Sequence, residues 1–205
     1  MAVTPLLPTG LRHLILDRDG VLNEEAADDG YIRRAADFKW LPGALGALAA
    51  FSRAGLRISI ATNQSAVGRG LMSAQDLDQI LAAMLAQAEA AGASISGVYF
   101  CPHAPAAHCD CRKPAPGLIR CAVQDSGLAA ALTLVVGDDV RDVDAARAAG
   151  VAAALVRTGK GRRAAAQLQE RGDSVPVFDD LAQLAERLNS CSETHCTEFS
   201  GPAIP

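Results

Sequence analysis

The sequence predicts an α/β fold of three layers, Rossmann-like, with helices on both faces of a parallel sheet. Three observations carry this. Short apolar stretches rich in β-branched residues alternate with helical segments of ten to twenty residues, the pattern of successive βαβ units. Half of the residues are hydrophobic but only 4% are aromatic, and small side chains favour close packing of helices on a sheet. Three of the strands also end on a polar residue, Asp17, Thr62 and Asp138. Ligands of open parallel sheets lie beyond the carboxyl ends of the strands, so these three side chains should meet on one rim.

The elements follow in order. Residues 11–17 read as a buried strand. Pro42 opens a helix over 42–54, since proline suits a first helical turn, and Gly55 ends it. "LRISIAT", 56–62, alternates and reads as a second strand. "SAQD", 73–76, is a capping-box start for a helix running to about Ala91. "GVYFC", 97–101, is a third strand, and a helix over 116–126 opens at Pro116 and closes near Gly127. "LTLVVGD", 132–138, is a buried strand. "VRDVDAARAAG", 140–150, is an Ala-rich helix, "AALVRTG", 153–159, a further strand, and "VPVFDD", 175–180, a weaker one before a last helix over 180–189. From residue 191 the apolar periodicity is lost. One domain over 1–190 and a flexible tail over 191–205 are expected.

The totals exclude several classes. A chain of 205 residues can build one full core. The net charge is −4 and no long basic run exists, which argues against a nucleic-acid partner. No apolar run approaches the ~18 residues of a membrane span, and "MAVTPLLPTG" lacks the charged start and apolar stretch of a secretion signal. A cytoplasmic monomer acting on a small molecule is the expectation. "RTGKG", 157–161, lacks the spacing of a nucleotide-binding P-loop.

"LILDRDGVLN", 14–23, runs an apolar segment into Asp17-Arg18-Asp19-Gly20. Two carboxylates that close repel and call for a cation or proton between them. A hard cation such as Mg²⁺ suits oxygen ligands and phosphate. One carboxylate can attack phosphorus while the other handles the proton of the leaving oxygen and of water. A plain Asp/Gly turn explains the pair equally well. "IATNQS", 60–65, ends a strand with a hydroxyl and an amide suited to phosphate oxygens, or to capping. Arg112 and Lys113 precede a proline, and Asp138 and Asp139 follow a strand, where either a metal carboxylate or a helix cap fits.

Three of the six cysteines fall within eleven residues of one another, in "CPHAPAAHCDCRKP", 101–114. Cys101, His103, Cys109 and Cys111 form a four-ligand set of zinc type, with His108 as rival to His103. Four protein ligands mean a closed, structural Zn²⁺ site, one that stiffens a loop otherwise short of core.

Taken together, Asp17-x-Asp19-Gly20, Thr62, Lys113 and Asp138 with Asp139 and Asp142 resemble the haloacid dehalogenase-like phosphohydrolases over about residues 11–160. The resemblance implies Asp17 as nucleophile, Asp19 as general acid and base, and Thr62 and Lys113 on the transferring phosphoryl group. It implies Mg²⁺ held by Asp17, the Asp19 backbone carbonyl and Asp138. "TNQSAVGRG", "CDCRKPAPG" and "DGYIRRAADFKWLPG" are similar to the zinc-loop heptose 1,7-bisphosphate 7-phosphatases. This implies a sugar phosphate substrate in the making of bacterial lipopolysaccharide precursors. The contacts it implies come from Asp28, Asp29, Gly30 and Tyr31, from Asn63, Gln64 and Ser65, and from Arg112. Asp139 departs from the lysine or small polar residue of such relatives. The segment from Asp19 to Thr62 is too short for a large cap domain, so a capless site is expected. Histidinol-phosphate phosphatases share the zinc pattern and are the alternative, and a non-catalytic phosphate binder is a further one, for which the Asp17–Asp19 pair would have no use. Whatever the substrate, Asp19 is expected to be protonated when it binds.

Overall fold

The computed structural model describes residues 7–26 and 31–193, with the side chains of 191–193 excepted. Among the described residues six parallel strands, β1 (His13–Leu16), β2 (Arg57–Asn63), β3 (Gly97–Cys101), β4 (Thr133–Gly137), β5 (Ala152–Val156) and β6 (Val177–Phe178), form one sheet in the order β3-β2-β1-β4-β5-β6. The helices are α1 (Ala44–Arg53), α2 (Ser65–Gly68), α3 (Ala74–Ala90), α4 (Gly117–Ser126), α5 (Val140–Ala148), α6 (Gly161–Glu170) and α7 (Leu181–Glu193). From β1 the chain builds outward through β2 and β3, then returns to add β4, β5 and β6 on the other side. The reversal of strand order falls beside β1, where an open sheet leaves its ligand crevice.

Side chains alternate across a strand, and that alternation makes the three layers. Leu14, Leu16, Ile58, Ile60, Leu134 and Val136 face one side and pack with α1, α3 and α7. Ile15, Ala61 and Val135 face the other and meet Leu118, Ile119 and Ala122 of α4 and Ala145 and Ala146 of α5. Residue pairing puts Leu16, the last residue of β1, beside Ile60 and Val136; β4 runs one residue past that level and β2 three. Asp17 and Asp138 are the residues just after β1 and β4, and Thr62 is the penultimate residue of β2.

The structure differs from the sequence reading in several places, the short α2 among them. Pro42 stands before the helix, because Gly43 is the cap of α1 with a left-handed φ of 78°. The segment 161–170, read as no element, is α6; it buries only Gly161, Ala164 and Leu168, too little apolar signal to stand out. The fifth strand stops at Val156, three residues early. The last helix runs on to Glu193, past the boundary at 190, while the rest of the expected tail lies outside the described residues. The capping box at Ser73 and Asp76 is present. Between Asp19 and α1 the described residues form only isolated bridges at Asn23 and a three-residue 3-10 turn, Ala35–Asp37, and no cap domain stands there among them. No described helix is long and apolar enough to cross a membrane.

At the opposite edge of the sheet His13 is fully buried between Ser59 Oγ, at 2.9 Å, and Thr133 Oγ1, at 3.4 Å. Burial, with the nearby Arg57 charge, lowers its pKa to about 4. The unfolded chain therefore takes up this proton first. Stability is unaffected above the ordinary histidine value near 6.5 and falls as pH drops from there to about 4, by about 3 kcal/mol in all at 1.36 kcal/mol per unit. Urea unfolding of the wild type and His13→Asn across that window should show a steeper loss of stability toward low pH in the wild type than in the variant; equal slopes would refute it.

Candidate active site

The site is assembled at the switch point from four strand ends. Lys113, only 3% exposed, reaches in from the loop after β3 and places Nζ 2.8 Å from Asp17 Oδ1 and 2.6 Å from Asp142 Oδ1. It also donates to the Ala61 carbonyl at 2.7 Å. Asn63 holds the lysine's own backbone from both sides: its Nδ2 donates to Lys113 O and its Oδ1 accepts from Lys113 N, each at 3.0 Å. Burial opposes the lysine's charge, but Asp142 and Asp17 outweigh it and raise its pKa.

Asp17 and Asp19 have separate partners. Burial pushes the Asp17 carboxyl up to about 6, the Lys113 charge holding it from going further. Asp19 accepts from Arg18 Nη2 through both oxygens at 2.8 Å, from Asn23 Nδ2 at 3.0 Å and from Gln64 Nε2 at 2.9 Å. Burial acts against its charge, but the Arg18 charge and these hydrogen bonds prevail and lower its pKa. The expectation of a protonated Asp19 thus does not describe the free site. Gln64 also donates to Thr62 Oγ1 at 2.9 Å, which ties the β2 hydroxyl to the Asp19 network.

Asp138 is 2% exposed. Burial and the charges of Asp17 and Asp142 push its carboxyl up to about 8. Its Oδ2 accepts from Lys160 N at 2.8 Å. A Cβ on Gly20 or Gly159, both at positive φ, would come within 2.0 or 2.1 Å of that same oxygen, so two glycines from distant loops make room for one carboxylate. Asp139 caps α5, and Asp142 completes the box by accepting from Asp139 N at 3.1 Å. Asp142 thereby links the helix cap to Lys113, a role no local pattern announced.

Asp17, Asp138 and Asp142 each offer a carboxylate oxygen, all within 4.8 Å of one another. Three buried acids face one buried lysine here, and two of them are pushed toward protonation. Such an excess of close, hard oxygen charge fits a divalent cation such as Mg²⁺. Asp142 has both oxygens engaged, Oδ1 by Lys113 and Oδ2 by Asp139 N, whereas Asp17 takes Lys113 on Oδ1 alone and Asp138 takes Lys160 N on Oδ2 alone, which makes these two the natural ligands.

The cysteine loop closes on itself beside this rim. The Cys101, Cys109 and Cys111 sulfurs lie 3.3 to 3.5 Å apart, and His103 Nδ1 lies 3.6 Å from Cys101 Sγ and 3.3 Å from Cys111 Sγ. These are close to the edges of a tetrahedron with zinc–ligand bonds of about 2.0–2.3 Å, so the four residues fit Zn²⁺ and His103, not His108, completes the set. The loop is tied to the second strand end by Gln64 N donating to Cys101 O at 2.7 Å and Gly68 N to Pro102 O at 2.8 Å. Metal analysis of freshly purified protein should find one zinc per chain. Cys109→Ser should lose it and melt about 5–10 °C lower, as about 2–3 kcal/mol of loop restraint disappears; zinc-free wild type would contradict this.

Asp17, Asp19, Thr62, Lys113 and Asp138 line a cavity of about 290 Å³. Tyr31, Ser65 and Arg112 of the expected substrate contacts border it, with Tyr31 OH 3.2 Å from Ser65 Oγ; Asp28, Asp29 and Gly30 lie outside the described residues. Sequence reasoning missed Glu25, Arg141 and Lys160 on the same wall. Lys160 had a signal, the "TGKG" turn after β5, although its spacing is not that of a P-loop.

A carboxylate nucleophile candidate at the switch point, a buried lysine on it and a cation-seeking acid from β4 define a haloacid dehalogenase-like phosphohydrolase. Residues 110–184 match the family described as HAD-hydrolase-like. The chain is 37% identical over 180 residues to a D-glycero-β-D-manno-heptose-1,7-bisphosphate 7-phosphatase of Pseudomonas putida, covering 87% of this chain and 99% of that one. A Neisseria meningitidis protein of the same name is 37% identical over 184 residues, covering 87% and 95%. The crystal structure of the D,D-heptose 1,7-bisphosphate phosphatase of B. bronchiseptica, complexed with magnesium and phosphate, superposes with a TM-score of 0.82 at 37% identity, over 88% of this chain and 99% of that one. The chain belongs to the heptose 1,7-bisphosphate 7-phosphatase family of the haloacid dehalogenase-like hydrolases.

Proposed function

We propose that the chain hydrolyses the C7 phosphate of D-glycero-β-D-manno-heptose 1,7-bisphosphate. The observation that carries this reading is the likeness, across almost the whole of both chains, to enzymes of that name. The site geometry supports the chemistry. Asp17 attacks phosphorus through a carboxylate oxygen, a new P–O bond forming as the bond from phosphorus to the C7 oxygen breaks. Asp19 gives its proton to that leaving oxygen. Water then attacks the aspartyl-phosphate, Asp19 takes its proton, and inorganic phosphate leaves with Asp17 restored.

Lys113, with Nζ at 2.8 Å from Asp17, meets the charge on the transferring phosphoryl oxygens, and Thr62 at the end of β2 adds a hydroxyl. Mg²⁺ held by Asp17, Asp138 and the Asp19 carbonyl supplies further positive charge to those oxygens. Asp19 begins ionised among its donors from Arg18, Asn23 and Gln64. The phosphate dianion arriving beside it favours its protonated form, and one of the bonds from Arg18, Asn23 or Gln64 must open for it to donate.

The test is a comparison of kcat/KM for the β and α anomers of the heptose bisphosphate and for histidinol phosphate, with Mg²⁺ present. The β-heptose bisphosphate is expected to lead. A clear preference for histidinol phosphate would overturn the reading.

A further inference from the structure

We infer that Arg141, aimed over the cavity by Asp139, binds a second anionic group of the substrate, a phosphate remote from the one transferred to Asp17. This rests on the bisphosphate reading and deepens it.

Of the other cavity cations, Lys113, Arg18 and Lys160 are each paired with a carboxylate. Lys113 is buried against Asp17 and Asp142. Arg18 is 1% exposed and forked onto Asp19. Lys160 is paired with Glu25. Arg112, in the loop after β3, borders the cavity with Nη1 buried and without a partner among the described residues, and is already expected to meet the sugar. Arg141 lies on the opposite flank, after β4, and its side chain keeps 42% of its surface open. Nε and Nη2 donate to the two oxygens of Asp139 at 3.1 and 2.7 Å, which fixes the plane of the guanidinium. No hydrogen bond from Nη1 is present among the described residues. A guanidinium held flat at the edge of a polar cavity is preorganised for phosphate.

The placement is also one that helix physics disfavours. Arg141 lies in the first turn of α5, where the helix dipole is positive and a cation is unfavourable. An exposed Arg–Asp pair contributes too little to explain it as a stabilising ornament. Asp139 offsets the local conflict and is itself fixed: it accepts from Arg141 N at 3.0 Å, while its own N–H bonds Asp142. The run Arg141–Asp139–Asp142–Lys113 therefore sets the guanidinium in register with the reacting centre. Asp17 is among the charges that act on Arg141, which agrees with that closeness. Asp139 acts through Arg141 and is a positioning residue.

The experiment measures kcat/KM for the heptose 1,7-bisphosphate and for the heptose 7-monophosphate in wild type, Arg141→Ala, Arg141→Lys and Asp139→Asn, with melting curves to verify folding. In Arg141→Ala the ratio of bisphosphate to monophosphate should fall about 10–100-fold, mostly through KM for the bisphosphate. Arg141→Lys, with charge but no fork, should fall in between, and Asp139→Asn should lose less than Arg141→Ala. If the wild type prefers the bisphosphate and Arg141→Ala keeps that ratio within twofold, this inference fails alone. If the wild type shows no preference for the bisphosphate, the bisphosphate reading fails and takes this one with it.

Discussion

Asp17→Asn is expected to lower turnover by about 10⁴-fold or more while leaving the fold intact, because no other carboxylate can take the place of the attacking oxygen. The asparagine carbonyl can still accept from Lys113 Nζ and from Arg18 N, which lie 2.8 Å from Asp17 Oδ1 in the wild type. What the substitution removes is a buried charge. Burial pushes the Asp17 carboxyl to about 6, so at pH 7 the native protein holds an ionised group in a place that disfavours it. A group with a raised folded pKa contributes stability below its ordinary value near 3.8 and loses it as pH climbs through about 6. Without added metal at pH 7, the variant should therefore melt no lower than wild type, and up to about 2–4 °C higher for each ~1 kcal/mol relieved. Mg²⁺ should raise the melting temperature of the wild type more than that of the variant, which lacks one ligand. Phosphatase activity surviving in the purified variant would remove Asp17 from its role.

Lys113→Met should have the largest combined effect on activity and stability. It leaves Asp17 and Asp142, 14% and 2% exposed, without their cation, and the Ala61 carbonyl without its donor. Stranding one side of a buried ion pair costs about 3–5 kcal/mol, so the metal-free variant should melt about 6 °C or more below wild type at pH 7. The deficit should shrink toward pH 5, since the stranded carboxylates then relieve themselves by taking protons. Turnover should fall about 10³-fold even with saturating Mg²⁺, since the charge on the phosphoryl oxygens loses its fixed partner. Thermal melts at the two pH values with steady-state rates check both halves. A variant as stable as wild type at pH 7 would mean that Lys113 is not the partner holding this cluster together.

Much of this molecule can be read along the chain. The strand-forming runs around Leu14–Leu16, Ile58–Ile60 and Leu134–Val136, the capping box at 73–76 and the four zinc-type ligands depend on spacing and on the chemistry of a few neighbouring residues. The rim of Asp17, Thr62 and Asp138 follows from one rule about where parallel strands end. Helix α6 escaped because its buried face is only Gly161, Ala164 and Leu168, too little to mark a period.

The pairings within the rim were of another kind. Asp142 caps its own helix and grips Lys113, 29 residues earlier in the chain; Asn63 clamps the lysine's backbone across 50 residues; Gln64 donates to Asp19 across 45. Element type, turn chemistry and ligand sets arise from forces acting within one or two turns of chain, so they are written locally. Which buried acid meets which cation depends on how loops from separate strands pack at a shared edge, and that is decided in three dimensions, where burial makes each unmatched charge costly.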